Sequence, residues 1–156
     1  MSVYSDAAAL ILSERWAAIA TIHEGQPLAS HVAFAAEPGL TGLLFHNSQM
    51  AAHTQALQEY PRACLAVGRP DTGDGDPQLL ARVSLSGKVT ALEPDSEEFE
   101  VAKATYVKRF PASETRFELG DFILFRFEME TARWVGGFGR AARMTGDQLA
   151  EAAAKA

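Results

Sequence analysis

Short apolar segments separated by turn residues fill the first half of the chain. Trp16–His23 and Leu28–Ala35 show no helical period, and the residues Glu24 to Pro27 between them are typical of a turn. These two segments predict a β-hairpin. The run Leu43–His46 is too short for a helix and predicts a third strand.

The second half carries further strand patterns. Leu79–Val89 alternates apolar and polar side chains, which is typical of a strand with one buried face. Arg62–Gly68, Phe122–Phe127 and Arg133–Gly136 also predict strands. The pattern therefore predicts six or seven strands in all.

Helical spacing is confined to a few segments, in which apolar residues recur every three or four positions. The first predicted helix is Ala7–Leu12. The second has about three turns, begins at a Ser48 cap and ends at Pro61. The third is Asp95–Arg109, and a weak terminal helix starts at about Asp147. Because strands do not alternate regularly with helices, we expect a mainly β (α+β) fold, an antiparallel barrel with helices packed outside.

The composition is that of one globular domain covering residues 1–156. With 47% hydrophobic residues and a net charge of −6, the chain is expected to fold and not to bind nucleic acid. No apolar run approaches the roughly 18 residues of a membrane span, and Met1 to Asp6 lacks the basic start of a signal peptide, so we expect a cytoplasmic protein without a membrane partner. The single Cys64 excludes an internal disulfide, and the four histidines lack metal-ligand spacing, so no metal site is predicted.

A candidate anion site combines the start of the second helix with an arginine on a strand. Ser48, His53 and Thr54 lie near the helix N-terminus, where unpaired N–H groups favour an anion, and Arg82 can add a fixed charge. Spacing alone does not distinguish this site from a capped helix beside a solvated arginine. His31 lies between two alanines on its strand face, which leaves space for a flat ligand or for a packed neighbour.

The run Gly137-Phe138-Gly139-Arg140-Ala141-Ala142 has the letters of a dinucleotide fingerprint. Only 14 residues follow Ala142, too few for the βαβ unit that the fingerprint serves. The glycines therefore permit either a sharp backbone bend or a close approach to a ligand. No Gly-x-Ser-x-Gly elbow or Walker loop occurs, so a hydrolase or kinase is not expected, and no catalytic residue is assigned.

Several segments together carry a resemblance to a known family. They are Gln26–Val32, Phe45–Ser48 with Ala52–Thr54, Ala81–Gly87, Tyr106-x-x-Arg109-x-Pro111, Asp121-Phe122 and Val135–Ala141. From about Ser13 to Met144 the chain resembles the pyridoxamine 5′-phosphate oxidase-like split-barrel flavoproteins, and more narrowly their haem-utilisation (HugZ-type) branch. The resemblance implies a six-stranded antiparallel split β-barrel, a homodimer, and FMN bound in clefts at the dimer interface.

The resemblance also implies cofactor-binding residues by position. They are Ser30, His31, Val32, Asn47 and Ser48 for the flavin ring and ribityl chain, His53, Thr54 and Arg82 for the phosphate, and Gly137, Phe138 and Arg140 approaching from the last strand. In the parent oxidases an Arg-Lys pair usually stands where this chain has His53 and Thr54, which is a departure toward neutral groups. No histidine follows His53 in this sequence, so the haem ligation that some members make through a C-terminal histidine is not carried over.

Three functions follow as hypotheses. The first is a dimeric FMN-dependent oxidoreductase for a small-molecule substrate, in which the flavin carries the redox chemistry and His31 is the polar group nearest the substrate. The second is haem binding or haem breakdown on the same scaffold, with His23, His31 or His46 as the iron ligand. The third is a non-catalytic dimeric binding or sensing module. An absorption spectrum of the purified protein would distinguish flavin from haem.

Overall fold

A computed structural model describes residues 2–156. Within them the strands are β1 Trp16–His23, β2 Gln26–Ala33, β3 Ala35–Ala36, β4 Leu43–Ser48, β5 Arg62–Gly68, β6 Arg82–Ala91, β7 Phe122–Val135 and β8 Ala141–Thr145. The helices are α1 Val3–Ser13, α2 Ala52–Glu59, α3 Glu97–Arg109 and α4 Gly146–Ala154. Short 3-10 segments occur at Pro38–Leu40, Pro77–Leu79 and Pro111–Glu118.

These strands form one antiparallel sheet. Its order is β2-β1-β5-β6-β7-β4-β3, and β8 pairs with the second half of β7. The sheet curls into a half-barrel with helices packed on it, so the predicted mixed, mainly β class is confirmed. Within residues 2–156 there are eight strands rather than the six that the resemblance implied, because the short strands β3 and β8 add to the sheet.

The main hydrophobic core lies on the inner face of the sheet, where α1 and α4 cover it. Phe45, Leu85 and Leu149 are completely buried there, and each such side chain stabilises the fold by about 1.5–3 kcal/mol. A smaller cluster lies on the other side of β4, where Leu44 packs with Tyr106 of α3. β4 is therefore buried on both faces, whereas β1, β5 and β6 alternate between buried and more accessible positions.

β7 corrects one prediction. Phe122–Phe127 and Arg133–Gly136 were predicted as separate strands, but Phe122 to Val135 form one continuous strand. Its first half pairs with β4, its second half pairs with β8, and β6 runs beside most of it. The residues between the halves include the exposed Glu128 and Glu130, which interrupt the apolar pattern although the backbone pairing continues.

The starts of α2 and α3 also differ from the predicted ones, Ser48 and Asp95. β4 continues through Ser48, and α2 begins at Ala52 after Ala51, which makes no side-chain capping bond. The predicted Ser48 cap is therefore wrong, because Ser48 is held in register with β7, whereas the helix and its end before Pro61 are confirmed. α3 begins after Ser96, whose hydroxyl accepts the N–H of Phe99. Local sequence allows several caps one or two residues apart, and strand pairing selects among them.

Candidate functional site

Ser30 of β2 and His53 of α2 form a hydrogen-bonded pair. The hydroxyl of Ser30 lies 2.8 Å from Nδ1 of His53, although the residues are 23 positions apart in sequence. Burial lowers the pKa of His53 below its ordinary 6.5, since desolvation disfavours the imidazolium. The structure thus brings two of the predicted cofactor-binding residues together as a neutral hydrogen-bonding group.

Two buried polar groups near the β4–α2 connection have no protein partner. Among the described residues, Nδ2 of Asn47 and Oγ1 of Thr54 are buried and form no hydrogen bond. Ser48, next to Asn47, instead donates its hydroxyl proton to the carboxylate of Asp121. Buried polar groups in folded proteins are nearly always paired, so these two can contribute hydrogen bonds to a bound molecule.

His31 and Val32 lie on opposite faces of β2. Val32 belongs to the hydrophobic core, where it is 3% exposed. The ring of His31 is exposed on the outer face and stacks on Trp16, with ring centroids 5.4 Å apart and an interplanar angle of 11°. Of these two predicted flavin-lining residues, His31 is therefore the one that an external ligand can reach directly.

Arg82 lies far from Ser48 within one chain. Arg82 pairs with Val135 at one end of β7, whereas Ser48 pairs with Phe122 at the other end. The guanidinium of Arg82 donates to the backbone carbonyls of Gln78 and Leu80. One chain therefore does not form the predicted phosphate site from the α2 region and Arg82, and such a site would require a second copy of the chain.

The glycine run forms an exposed loop between β7 and β8. Gly137 and Gly139 adopt φ values of 114° and 72°, which favour glycine because they avoid a Cβ clash. Phe138 between them is 83% exposed, and Arg140 forms an ion pair with Asp6. A sharp backbone bend, one of the two alternatives left by the sequence, is therefore present, and Phe138 is free to contact another molecule.

A cleft that the sequence analysis did not identify opens beside the hairpin. It has a volume of about 500 Å³, and its wall includes the three arginines Arg15, Arg109 and Arg116 together with Trp16 and Phe110. The guanidinium of Arg15 lies 5.7 Å from the centre of the Phe110 ring, and Arg109 donates to the backbone carbonyl of Glu14. We call this site the arginine–aromatic cleft.

The cleft is cationic in a chain of net charge −6. Within residues 2–156, none of its three arginines takes part in an ion pair. Guanidinium groups bind carboxylates and phosphates through paired hydrogen bonds, and aromatic rings favour a flat apolar partner. The cleft is therefore chemically suited to a flat molecule with acidic groups. The one sequence signal for it was the Tyr106-x-x-Arg109-x-Pro111 motif.

The outer face of the sheet, beside this cleft, is lined by small side chains. We define this outer face by Ala18, Ala20, Ala29, His31, Cys64, Ala66, Ser84 and Ser86. Ala18 lies opposite Ala66, and Ala20 lies opposite Cys64. Trp16, which is 61% exposed, lies at the border between this face and the cleft. The result is a broad surface with few long side chains.

The described residues offer no cluster for a metal ion. Within residues 2–156, no three His, Cys, Asp or Glu side chains come together as ligands. None of the helices in that range combines the length and apolarity needed to cross a membrane.

The fold defines a split-barrel protein with a cationic cleft beside its first hairpin. A sequence model of the CREG beta-barrel family ("CREG, beta-barrel") matches residues 3–151, and the chain belongs to this family. The split-barrel resemblance found in the sequence is thereby confirmed at the level of the fold.

Individual relatives agree with this assignment. The chain is 30% identical over 132 residues to "Heme oxygenase HutZ" of Vibrio cholerae, covering 82% of this chain and 72% of the relative. A solved heme binding protein from Mycobacterium smegmatis superposes with a TM-score of 0.86 at 30% identity, over 97% of this chain and 61% of that one, so this chain spans about three fifths of it. A Clostridium acetobutylicum protein of the pyridoxinephosphate oxidase family shares the fold, with a TM-score of 0.68 at 14% identity, over 96% of this chain and 99% of that one.

Proposed function

We propose that this chain binds haem in the arginine–aromatic cleft, as a member of the haem-utilisation (HugZ-type) branch of the split-barrel proteins. The observation that carries the proposal is the cleft itself, in which three arginines without ion-pair partners in residues 2–156 surround an aromatic wall. The names of two relatives at 30% identity, a heme oxygenase and a heme binding protein, support it.

The residues of the cleft fit the chemistry of haem. Its macrocycle is flat and largely apolar, which suits an aromatic ring such as that of Phe110, and its propionates are carboxylates, which suit guanidinium groups. Arg15 and Arg116 make no side-chain hydrogen bond to the described protein, so their donors are available to a ligand. When bound, haem would supply redox or oxygen chemistry, while the protein orients the macrocycle and holds its acidic edge.

Titration with haemin tests this proposal. We expect a saturable shift of the Soret band with micromolar affinity, and at least a roughly 100-fold weaker affinity in the Arg15→Gln/Arg116→Gln double variant, because each charged hydrogen bond contributes about 1.5–3 kcal/mol. Arg62→Gln is the matched control, since Arg62 is an exposed arginine on β5 that pairs with Glu130 outside the cleft. Equal affinities of the double variant and the control would contradict the cleft as the site.

The protein acts as a homodimer in this proposal, with the outer face as the contact between copies. Small side chains such as Ala20, Ala66 and Ser86 let two sheets approach closely over a wide area. Trp16 lies at the border of this face and in the cleft wall, so a second copy would partly cover the cleft. Coverage of this kind would remove a bound ligand from water and strengthen its contacts with the arginines.

An added charge on the outer face should separate the copies. We expect the wild type to run as a dimer in size-exclusion chromatography with light scattering, and Ala66→Glu to run as a monomer, because the carboxylate would have to be buried without a partner. Ala104→Glu is the control, since Ala104 is exposed on α3, outside this face. A dimer that survives Ala66→Glu would place the contact elsewhere.

Flavin binding near the β4–α2 connection is a second candidate, favoured by the unpaired buried groups of Asn47 and Thr54. In this alternative the amide of Asn47 donates to the acceptor atoms of an isoalloxazine ring, and the flavin carries oxidoreductase chemistry. The phosphate would need a cation from a second copy, since Arg82 lies at the far end of β7. FMN whose fluorescence is not quenched by micromolar protein would argue against it.

A further inference from the structure

The four histidines of the chain differ in what surrounds them. His23 has Nδ1 4.0 Å from a carboxylate oxygen of Glu59, and His53 is bonded to Ser30. His46 is buried, with Phe117 stacked on its ring at a centroid distance of 3.6 Å. Among residues 2–156, Nδ1 of His23 and Nδ1 of His46 are buried without a hydrogen-bond partner, and His53 is half-buried. None of these three imidazoles is therefore exposed to an external ligand.

The fourth, His31, is exposed and makes no hydrogen bond or ion pair within residues 2–156. Its ring is held by an aromatic stack on Trp16. Ala33, two residues along β2 from His31, lines the arginine–aromatic cleft, and so does Trp16. Because alternate residues of a strand point to the same face, His31 and Ala33 share one side of β2. The exposed imidazole of His31 therefore lies beside the cleft, next to two of its lining residues.

We infer that His31 supplies the protein ligand to the iron of haem bound in this cleft. This inference rests on the haem-binding function proposed above and names a residue for it. A neutral imidazole is a common protein ligand of haem iron, and the cleft arginines would hold the propionates of the same molecule. Two residues of strand span about 6.6 Å, so a flat ligand can touch both the arginines near Ala33 and the ring of His31.

Trp16 acts as a positioning residue in this arrangement. Its indole lies nearly parallel to the imidazole and also belongs to the cleft wall. The stack limits the rotation of His31 and keeps the imidazole beside the cleft. Trp16→Leu should therefore keep His31 as the ligand but broaden the distribution of its orientations, which electron paramagnetic resonance of the ferric complex would report as broader lines.

The experiment compares haemin complexes of the wild type, His31→Ala and the control His23→Ala by absorption and electron paramagnetic resonance. We expect His31→Ala to retain haemin through the arginines, with an affinity lower by about tenfold, but to lose the spectral signature of histidine ligation. Added imidazole should restore that signature. His23→Ala should match the wild type. Because His31 is exposed, its variant should show unchanged circular dichroism, which separates loss of ligation from loss of folding.

The outcomes separate this inference from the proposal on which it rests. A wild type that binds no haemin overturns both. A His31→Ala complex with the spectrum of the wild type overturns the assignment of His31 and leaves haem binding intact. A variant whose altered spectrum is not restored by imidazole also overturns it, because an empty ligand position should accept the free base.

Discussion

Lowering the pH from 6.5 to about 4 is expected to weaken the folded state by about 3 kcal/mol through His46 alone. The side chain is 7% exposed and lies between Phe117, Phe122 and Tyr106. Burial, together with the smaller effects of the nearby charges of Arg116 and Lys103, lowers its pKa from 6.5 to about 4. The folded state therefore favours the neutral imidazole of His46.

The sign of the effect follows from where the proton binds first. As the pH falls below 6.5, His46 becomes protonated in the unfolded chain but stays neutral in the folded chain. Proton binding therefore lowers the free energy of the unfolded state relative to the folded state. Stability is thus complete above pH 6.5 and is lost as the pH falls toward 4. The pKa of His53 is lowered by burial as well, so its contribution has the same sign.

Urea unfolding at pH 7.5, 5.5 and 4.5 measures this loss. In His46→Phe the free energy of unfolding should fall much less over the same interval, because the aromatic cluster accepts another apolar ring and nothing in it titrates. His31→Phe is the control: the residue is exposed, so its replacement should leave the pH dependence of the wild type unchanged. Parallel curves for His46→Phe and the wild type would show that burial of this imidazole is not the cause.

Sequence reasoning predicted best the elements whose signals are local. The hairpin of β1 and β2 and the strand β5 are marked by contiguous apolar segments bounded by turn residues, and β5 has the bounds that were predicted. Alternation also identified β6, although the strand starts at Arg82 and not at Leu79, which is 46% exposed. β8 was missed because three of its five side chains are exposed, and its position depends on pairing with β7.

The site was predictable only where sequence motifs happened to meet in space. Ser30 and His53 were both expected near a ligand, and the curled sheet brings them into contact. The cleft arginines could not be found in this way, because Arg15 precedes β1, Arg109 ends α3 and Arg116 lies in the 3-10 segment that follows. No local pattern relates them. The pairing of strands, which only the fold reveals, also separates Arg82 from the α2 region within one protomer.

Replacing Gly87 with alanine should destabilise the fold strongly, at the upper end of the roughly 1–3 kcal/mol typical of overpacking. Gly87 lies on β6 where the register with β7 shifts, so the two backbones approach closely. A Cβ built there would lie 1.9 Å from the carbonyl oxygen of Glu128 and 3.1 Å from the ring of Phe127. The carbonyl belongs to a backbone held in the centre of the sheet, so relief requires the strands to move apart.

Gly120→Ala provides the matched control for this substitution. Gly120 lies before β7, and an added Cβ there meets no atom within 4 Å. We expect its urea midpoint to stay within experimental error of the wild type, while Gly87→Ala unfolds at a clearly lower concentration and exchanges the amide protons of β6 and β7 faster. Similar midpoints for both variants would mean that β6 and β7 can separate here at little cost, and that the close approach at Gly87 is not what sets the register of the central strands.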